Sequence, residues 1–312
     1  MRAFLFPGQG SQSVGMGAAL AQSSRAARDI FDEVDEALGQ NLARLMREGP
    51  EDELKLTENA QPAIMANAVA VFSALTREGG IELEKAASFV AGHSLGEYSA
   101  LCAAGSFDVA TTAKLLKLRG QAMQAAVPVG QGAMAALLGA DVELAQRIAD
   151  AAAKGETCTV ANDNDPSQVV LSGHKGAIDR AIELAKEMGA KRAVPLPVSA
   201  PFHCPLMQPA AEAMEEALNQ VLVRTPAVPV FANVSATAET DPDRIRTLLV
   251  EQVTAMVRWR ESIANMAESG VDEFVELGGK VLGSMVKRIA PDAKVSSVMT
   301  IEDIETLAKE IA

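Results

Sequence analysis

The sequence predicts an α/β protein whose large domain, built around a parallel sheet, is interrupted by a small ferredoxin-like subdomain. Through most of the 312 residues, short apolar runs typical of buried strands alternate with longer helical patterns, which favours a parallel sheet covered by helices. Between 128 and 198 the predicted order is strand, helix, strand, strand, helix, strand, which is the ferredoxin-like βαββαβ arrangement. We therefore expect a large domain of residues 1–127 and 199–312 and a subdomain of residues 128–198.

In the large domain, Pro, Gly, Ser and Asp residues at turns and helix caps set the predicted ends of the helices and strands. Pro62 is expected in the first turn of a helix at 60–80, with Gly79 at its end, and Asp108 is the candidate cap of a long helix. Its strands are expected at 3–6, 88–92, 228–232, 272–277 and 295–298. Its helices are expected at 24–38, 60–80, 94–104, 108–127, 243–256, 259–269, 280–290 and 301–311.

In the subdomain, Asp141 is the candidate cap of the first helix and Gly189 closes the second. The turn-rich segment "DNDPS" (163–167) is expected to be a loop that joins the two middle strands. The strands are expected at 132–140, 157–162, 168–173 and 191–198, and the helices at 141–154 and 175–189.

Composition and charge exclude several classes of protein. The net charge of −13 argues against nonspecific nucleic-acid binding, which requires a surplus of Lys and Arg. The three cysteines (Cys102, Cys158 and Cys204) are far apart, so we expect neither a disulfide framework nor a zinc site, and a reducing compartment. The start lacks the pattern of a signal peptide, and no apolar stretch is long enough to span a membrane. We expect a cytoplasmic enzyme.

A candidate nucleophile lies in "GHSLGEYSA" (92–100), directly after the apolar run "SFVA". Its first five residues fit the G-x-S-x-G elbow, in which Ser94 would project its hydroxyl from a strained strand-to-helix turn. The backbone N–H of Leu95 would then be free at a helix start, where it can stabilise an oxyanion. This context predicts an α/β-hydrolase-like large domain, although Ser94 also fits a simple helix cap.

A serine nucleophile needs a base, and the sequence offers three histidines. His93 adjoins Ser94 and is expected to support the elbow, and His174 fits a solvated turn. His203, in "VSAPFHCPLMQ", is fixed between two prolines, and either a base or a histidine packed beside Phe202 fits these features. No carboxylate is an evident third member of a triad, since Asp163 and Asp165 lie in the predicted loop.

The chain resembles the malonyl-CoA:acyl carrier protein transacylases. The resemblance covers nearly the whole chain and is carried by "FPGQGSQ", "GHSLGEYSAL", "RGQAMQ", "GAMAALLG", "ANDNDPSQVVLSG", "SAPFH" and "ELGGKVL", in the family's order. Two departures are visible: "ELGGKVL" lacks the usual Gly-Pro-Gly form, and Cys204 stands where Ser is more usual. The first puts only that turn in doubt, and we expect Cys204 to pack inertly.

The resemblance implies a role for each matching position. Ser94 would be the nucleophile and His203 the general base, oriented by the backbone carbonyl of Gln252. The backbone N–H groups of Gln9 and Leu95 would form the oxyanion hole. The substrate-binding residues would be Arg119, Phe202 and, less directly, Asn162.

The expected reaction is a ping-pong transfer of malonyl from malonyl-CoA to the phosphopantetheine thiol of an acyl carrier protein, with no metal or other cofactor. A guanidinium binds a carboxylate bidentately, which suits Arg119, although this residue also fits a surface helix. Phe202 is expected to disfavour methylmalonyl. Partners would be malonyl-CoA, CoA and an acidic carrier protein that binds transiently, with no nucleic acid or membrane, and the chain is expected to be a monomer.

Two other functions fit parts of the pattern. A serine thioesterase or esterase would use the same elbow and base but would pass the acyl group to water. A noncatalytic module that binds the carrier protein would keep the fold without a working site. The joint presence of Ser94, His203 and Arg119 argues against such a module.

Overall fold

Ten strands form two sheets in the computed structural model, which describes residues 1–311. The strands are β1 (Arg2–Phe6), β2 (Phe89–Gly92), β3 (Gly132–Leu138), β4 (Cys158–Asp165), β5 (Gln168–His174), β6 (Arg192–Pro195), β7 (Val230–Phe231), β8 (Ala238–Glu239), β9 (Glu273–Leu277) and β10 (Lys294–Val298). The larger sheet has the order β10-β9-β1-β2-β7-β8, and only the pair β7–β8 is antiparallel. The smaller sheet has the order β4-β5-β3-β6 and is antiparallel throughout.

Fifteen α-helices cover these sheets in the described chain. They are α1 (Ala18–Ser23), α2 (Arg25–Leu38), α3 (Leu42–Glu48), α4 (Glu51–Lys55), α5 (Thr57–Arg77), α6 (Leu83–Ala86), α7 (Gly96–Ala103), α8 (Val109–Ala125), α9 (Val142–Ala153), α10 (Lys175–Glu187), α11 (Gln208–Asn219), α12 (Pro242–Thr254), α13 (Trp259–Glu268), α14 (Gly283–Ile289) and α15 (Ile301–Ile311). The side chains of Ser24, Asp108 and Asp141 cap α2, α8 and α9 by accepting a backbone N–H from the first turn. No helix among residues 1–311 is both long and apolar enough to cross a membrane.

The fold class predicted from the sequence is confirmed, and the elements β3-α9-β4-β5-α10-β6 follow in the ferredoxin-like order. The smaller sheet and its helices enclose a separate apolar core, which contains Leu137, Ile148 and Leu171. These elements fall between 132 and 195, inside the range 128–198. The boundaries of the subdomain itself remain a prediction.

Two local predictions are wrong. Residues 163–165 were expected in a loop, but β4 continues through Asp165, because ion pairs with Arg260 and Arg288 satisfy the two buried aspartates. Pro62 was expected in the first turn of its helix, but α5 begins at Thr57 and contains Pro62 in its interior. The loss of a single backbone hydrogen bond near the helix start is tolerated there because α5 is buried along almost all its length.

The register of the larger sheet positions the site. Phe6 of β1 lies opposite Gly92 of the parallel neighbour β2, so the loops after both strands meet at the carboxyl edge of the sheet. The backbone N–H of His93 donates to the carbonyl of Phe6 at 3.1 Å. Ligands of open α/β sheets bind at this edge, and here the smaller sheet faces it across a cavity.

Candidate active site

Ser94 lies on the turn between β2 and α7 with a strained backbone. Its φ is +54°, in the left-handed region that residues with a Cβ rarely adopt. A Cβ on Gly92 would overlap the backbone of Gly96, and one on Gly96 would overlap the carbonyl of Phe6. Both glycines are therefore required by close packing, which is the geometry of a nucleophile elbow.

The side chain of Asn233, which follows β7, holds the elbow from the other side. Its Oδ1 accepts the backbone N–H of Ser94 at 2.7 Å, and its Nδ2 donates to the carbonyl of Gly92, also at 2.7 Å. Asn233 is fully buried, so these bonds are not shared with water. A single amide thus fixes the residues on both sides of His93.

His203 forms a hydrogen bond with the Ser94 hydroxyl. Its Nε2 is 2.8 Å from Ser94 Oγ, and its Nδ1 is 2.8 Å from the backbone carbonyl of Gln252. Since a carbonyl only accepts, Nδ1 carries the proton and Nε2 is free to accept the serine proton. Burial, and then the charge of Arg119, lower the pKa of His203 from 6.5 to about 3. The imidazole is therefore neutral at physiological pH, as a general base must be.

Arg119 reaches the same hydroxyl from α8. Its side chain is 1% exposed, and Nη2 lies 3.2 Å from Ser94 Oγ and 2.9 Å from Gln252 Oε1. Nη1 donates to Gln61 Oε1 at 2.8 Å. No acidic side chain within residues 1–311 forms an ion pair with Arg119, and its buried Nε has no hydrogen-bond partner there. A buried guanidinium held by neutral amides is suited to receive a carboxylate.

Gln252 serves the site through both its backbone and its side chain. While its carbonyl orients His203, its side-chain Nε2 donates to Glu97 Oε2 at 2.8 Å and to the carbonyl of Ser94 at 3.1 Å. These two hydrogen bonds fix the side-chain amide of Gln252 so that its Oε1 faces Arg119. The residue is fully buried in α12.

The backbone N–H groups of Gln9 and Leu95 are candidates for stabilising an oxyanion at the cavity. Gln9 follows β1 and Leu95 precedes α7, so both lie where the ends of β1 and β2 meet, and both line the cavity with Ser94. In the described part of the chain, neither N–H donates a hydrogen bond to another protein group. Leu95 is also at the N-terminus of a helix, whose dipole favours negative charge.

The cavity has a volume of about 650 Å³ and lies between the two sheets. Ser94, Arg119 and His203 line it from the large sheet's side, and Phe202 lines it beside His203. Asn162 lines it from β4, but no hydrogen bond joins its side chain to Ser94 or His203. The predicted site residues therefore line one cavity, with Asn162 at its far wall, except for Gln252, which is buried behind His203 and Arg119.

The other candidates have separate roles. His93 Nε2 is 2.8 Å from Asn164 Oδ1, and its ring packs edge-on against Trp259, so it supports the wall of the cavity. His174 accepts the backbone N–H of Thr157 at 2.9 Å, far along the smaller sheet. Cys204 is buried, its thiol donates to the carbonyl of Pro201, and burial raises its pKa, which makes it unreactive.

Asp163 and Asp165 do not reach His203. Asp163 pairs with Arg260 at 2.8 Å, and Asp165 pairs with Arg288, also at 2.8 Å. These pairs join β4 to α13 and α14 of the large domain. They fix the two walls of the cavity relative to each other, and the imidazole is oriented by a carbonyl alone.

Four residues around the site were not identified from the sequence: Gln61, Glu97, Asn164 and Asn233. Glu97 follows Ser94 by three positions and so lies on the first turn of α7, which is a signal the motif itself contains. The other three are amides distant in sequence, and only the packing of the elements brings them to the site.

The model of the acyl transferase domain family matches residues 3–289. A malonyl CoA-acyl carrier protein transacylase of Escherichia coli K12 is 45% identical over 297 residues, which cover 95% of each chain. The crystal structure of an acyl-carrier-protein-S-malonyltransferase from Bartonella henselae has a TM-score of 0.97 at 51% identity and covers 99% of both chains. A malonyl-transacylase solved in complex with a type II PKS acyl-carrier protein has a TM-score of 0.95 at 40% identity and 99% coverage of both chains.

Proposed function

Since this chain belongs to the acyl transferase domain family, we propose that it transfers malonyl from malonyl-CoA to an acyl carrier protein through an ester on Ser94. The roles proposed for these residues rest on one observation: the Ser94 hydroxyl contacts both His203 and Arg119. Ser94 Oγ lies 2.8 Å from the His203 imidazole and 3.2 Å from the Arg119 guanidinium. The first group activates the nucleophile, and the second selects an acyl group with a free carboxylate.

In the first half-reaction, Ser94 Oγ attacks the thioester carbonyl while its proton passes to His203 Nε2. The backbone N–H groups of Gln9 and Leu95 stabilise the resulting oxyanion. The C–S bond then breaks, and the imidazolium returns the proton to the sulfur, so that CoA leaves as a thiol. Gln252 holds the imidazolium through its carbonyl, which accepts from Nδ1.

The second half-reaction reverses these steps with another thiol. The phosphopantetheine thiol of the carrier protein gives its proton to His203 Nε2 and attacks the ester on Ser94. The Oγ–C bond breaks, and the proton returns to the serine. Because the acyl group goes from thioester to ester to thioester, no redox equivalent is consumed.

Arg119 binds the malonyl carboxylate through its guanidinium. Replacing the contact to Ser94 Oγ with a carboxylate contact also gives the buried Nε a place in a bidentate pair. Phe202, directly before the base in the chain, lines the same cavity, where it would crowd the central carbon of the acyl group and so disfavour methylmalonyl. Asn162 contributes to the opposite wall of the cavity.

The carrier protein binds transiently, and a surface that attracts this acidic partner needs cations that are not already paired. Arg260 and Arg288 are bound to Asp163 and Asp165, so they add little net charge to a surface. Monomeric state and cytoplasmic location remain predictions from the sequence.

Intact-mass analysis after addition of malonyl-CoA tests the proposal. We expect a stable adduct of one malonyl group, mapped to the peptide that contains Ser94 and discharged quickly by a carrier-protein thiol. The Ser94→Ala variant should remain unmodified. Rapid release of free malonate without a persistent adduct would instead identify a thioesterase, and an adduct on any other residue would refute the assignment of Ser94.

A further inference from the structure

Glu97 is a buried carboxyl in the site that the reaction steps above do not use. Its side chain is 2% exposed at the start of α7. One oxygen, Oε2, accepts the side-chain Nε2 of Gln252 at 2.8 Å and the backbone N–H of Asn233 at 2.9 Å. A carboxyl is rarely buried this completely without a cation beside it.

The nearest cation is Arg119, reached through a single amide. Gln252 accepts from Arg119 Nη2 with Oε1 and donates to Glu97 with Nε2, so it links the two charges end to end. In the described chain, the other titratable group in electrostatic contact with this position is Tyr98, on the same helix. Arg258, beyond the Asn233 loop, is paired with Glu261 and partly exposed.

We propose that Glu97 balances the charge of Arg119 in the free enzyme and takes up a proton when the malonyl carboxylate binds to that guanidinium. The inference rests on the proposed function, because it requires a malonyl group at Arg119. Loading places two carboxylates around one buried cation. When two like charges share a site, the pKa of one of them is raised, and here that one is Glu97, which has no direct ion pair.

Glu97 titrates near neutral pH, where a change in its protonation on malonyl loading can be measured. Burial raises the pKa of Glu97 to about 7; hydrogen bonds from Asn233 and Gln252 oppose that rise, and the charge of Arg119 adds a smaller opposition. A carboxylate that pairs with Arg119 cancels this opposition, so the pKa of Glu97 increases further. At a pH near 7, a partly ionised Glu97 therefore binds protons on loading.

Acyl transfer itself neither releases nor consumes a net proton, so it does not mask proton uptake by Glu97. In the first half-reaction the serine proton ends on the CoA sulfur, and the free thiol stays protonated below its ordinary pKa of about 8.5. No net proton is exchanged with solvent by that chemistry. Any uptake in this range belongs to a protein group.

The experiment mixes enzyme with stoichiometric malonyl-CoA in weak buffer with a pH indicator, while intact mass counts the malonyl groups formed. At about pH 7 we expect an uptake of up to about half a proton per malonyl group, falling toward zero at about pH 6. The matched control is Glu97→Gln, whose amide oxygen can still accept from Gln252 and Asn233 but cannot titrate. It should load malonyl with no uptake.

A second measurement uses the unmodified protein and so does not depend on folding of the variant. The equilibrium constant for malonyl loading should fall by up to about fourfold between about pH 6 and about pH 7.5, because proton uptake favours loading at lower pH. Malonyl loading with neither uptake nor this pH dependence, or uptake that persists in Glu97→Gln, would overturn the inference. Absence of any malonyl adduct would instead refute the proposed function.

Discussion

Replacement of Arg119 by alanine removes the guanidinium that we propose to bind the malonyl carboxylate. The guanidinium is 1% exposed and donates to Ser94, Gln61 and Gln252. An acetyl group has no carboxylate for it to bind. We therefore expect Arg119→Ala to lose activity with malonyl-CoA and to keep, or gain, activity with acetyl-CoA.

The expected loss of malonyl preference in Arg119→Ala follows from the burial of the proposed pair between Arg119 and the acyl carboxylate. Truncating one partner of a buried, hydrogen-bonded charge pair costs about 2–5 kcal/mol, and each 1.4 kcal/mol is a factor of about ten. The ratio of kcat/KM for malonyl-CoA to that for acetyl-CoA should consequently fall between about 30-fold and about 4,000-fold. Within residues 1–311 the partners of Arg119 are the neutral groups of Gln61, Ser94 and Gln252, with no competing ion pair, so we expect a value in the upper part of this range.

The assay measures transfer of each acyl group to a carrier protein at several concentrations of the acyl-CoA. Lys114→Ala is the matched control, because it removes one positive charge from an exposed position on the same helix. That variant should keep the malonyl to acetyl ratio within about twofold, since exposed charges contribute little.

The reasoning would be refuted by a folded Arg119→Ala protein that retains the malonyl preference. An equal loss with both substrates would also refute it, because that result would mean that Arg119 acts on the nucleophile rather than on the acyl carboxylate. Circular dichroism and the urea midpoint of unfolding establish whether the variant is folded.

Three further predictions concern the same cavity. Gln252→Ala keeps the backbone carbonyl that orients His203 but removes the amide that holds Arg119, so kcat/KM for malonyl-CoA should fall about 10- to 150-fold while that for acetyl-CoA falls less. The pKa of His203 is lowered to about 3 in the folded protein from 6.5, so its contribution to stability is present above pH 6.5 and lost on acidification toward 3. The urea midpoint should therefore fall more steeply below about pH 6.5 in the unmodified protein than in His203→Gln. Gly92→Ala should abolish acylation or folding, measured by intact mass and circular dichroism, because the added Cβ overlaps the backbone of Gly96.

The nucleophile elbow could be predicted from the sequence because its constraints are local. The glycines at 92 and 96 are needed by contacts within or next to the turn, and the flanking strand and helix have clear hydrophobic patterns. The order of elements in the subdomain was likewise visible, since each strand and helix there is bounded by turn residues. Such signals depend on neighbours in the chain.

The amides that support the site could not be predicted in the same way. Asn233 lies 139 residues after Ser94, and Gln61 lies 58 residues before Arg119, so nothing local indicates the contact. A buried amide in the sequence fits a turn, a cap or a core hydrogen bond equally well. The prediction that Asp163 lies in a loop failed for a related reason, because its ion-pair partner Arg260 is 97 residues away.

The use of a carbonyl rather than a carboxylate behind His203 follows from the position of Arg119. A carboxylate at that point would raise the pKa of the imidazole and would add a negative charge to the site in which we propose that Arg119 binds the acyl carboxylate. A neutral carbonyl fixes the tautomer without either effect. Because the same residue, Gln252, places its side-chain oxygen on Arg119 and its nitrogen on Glu97, the only carboxyl among residues 1–311 that is hydrogen-bonded to this network is kept one amide away from the cation. The base can therefore stay neutral while the cation beside it remains available, and both properties depend on the position of one residue in α12.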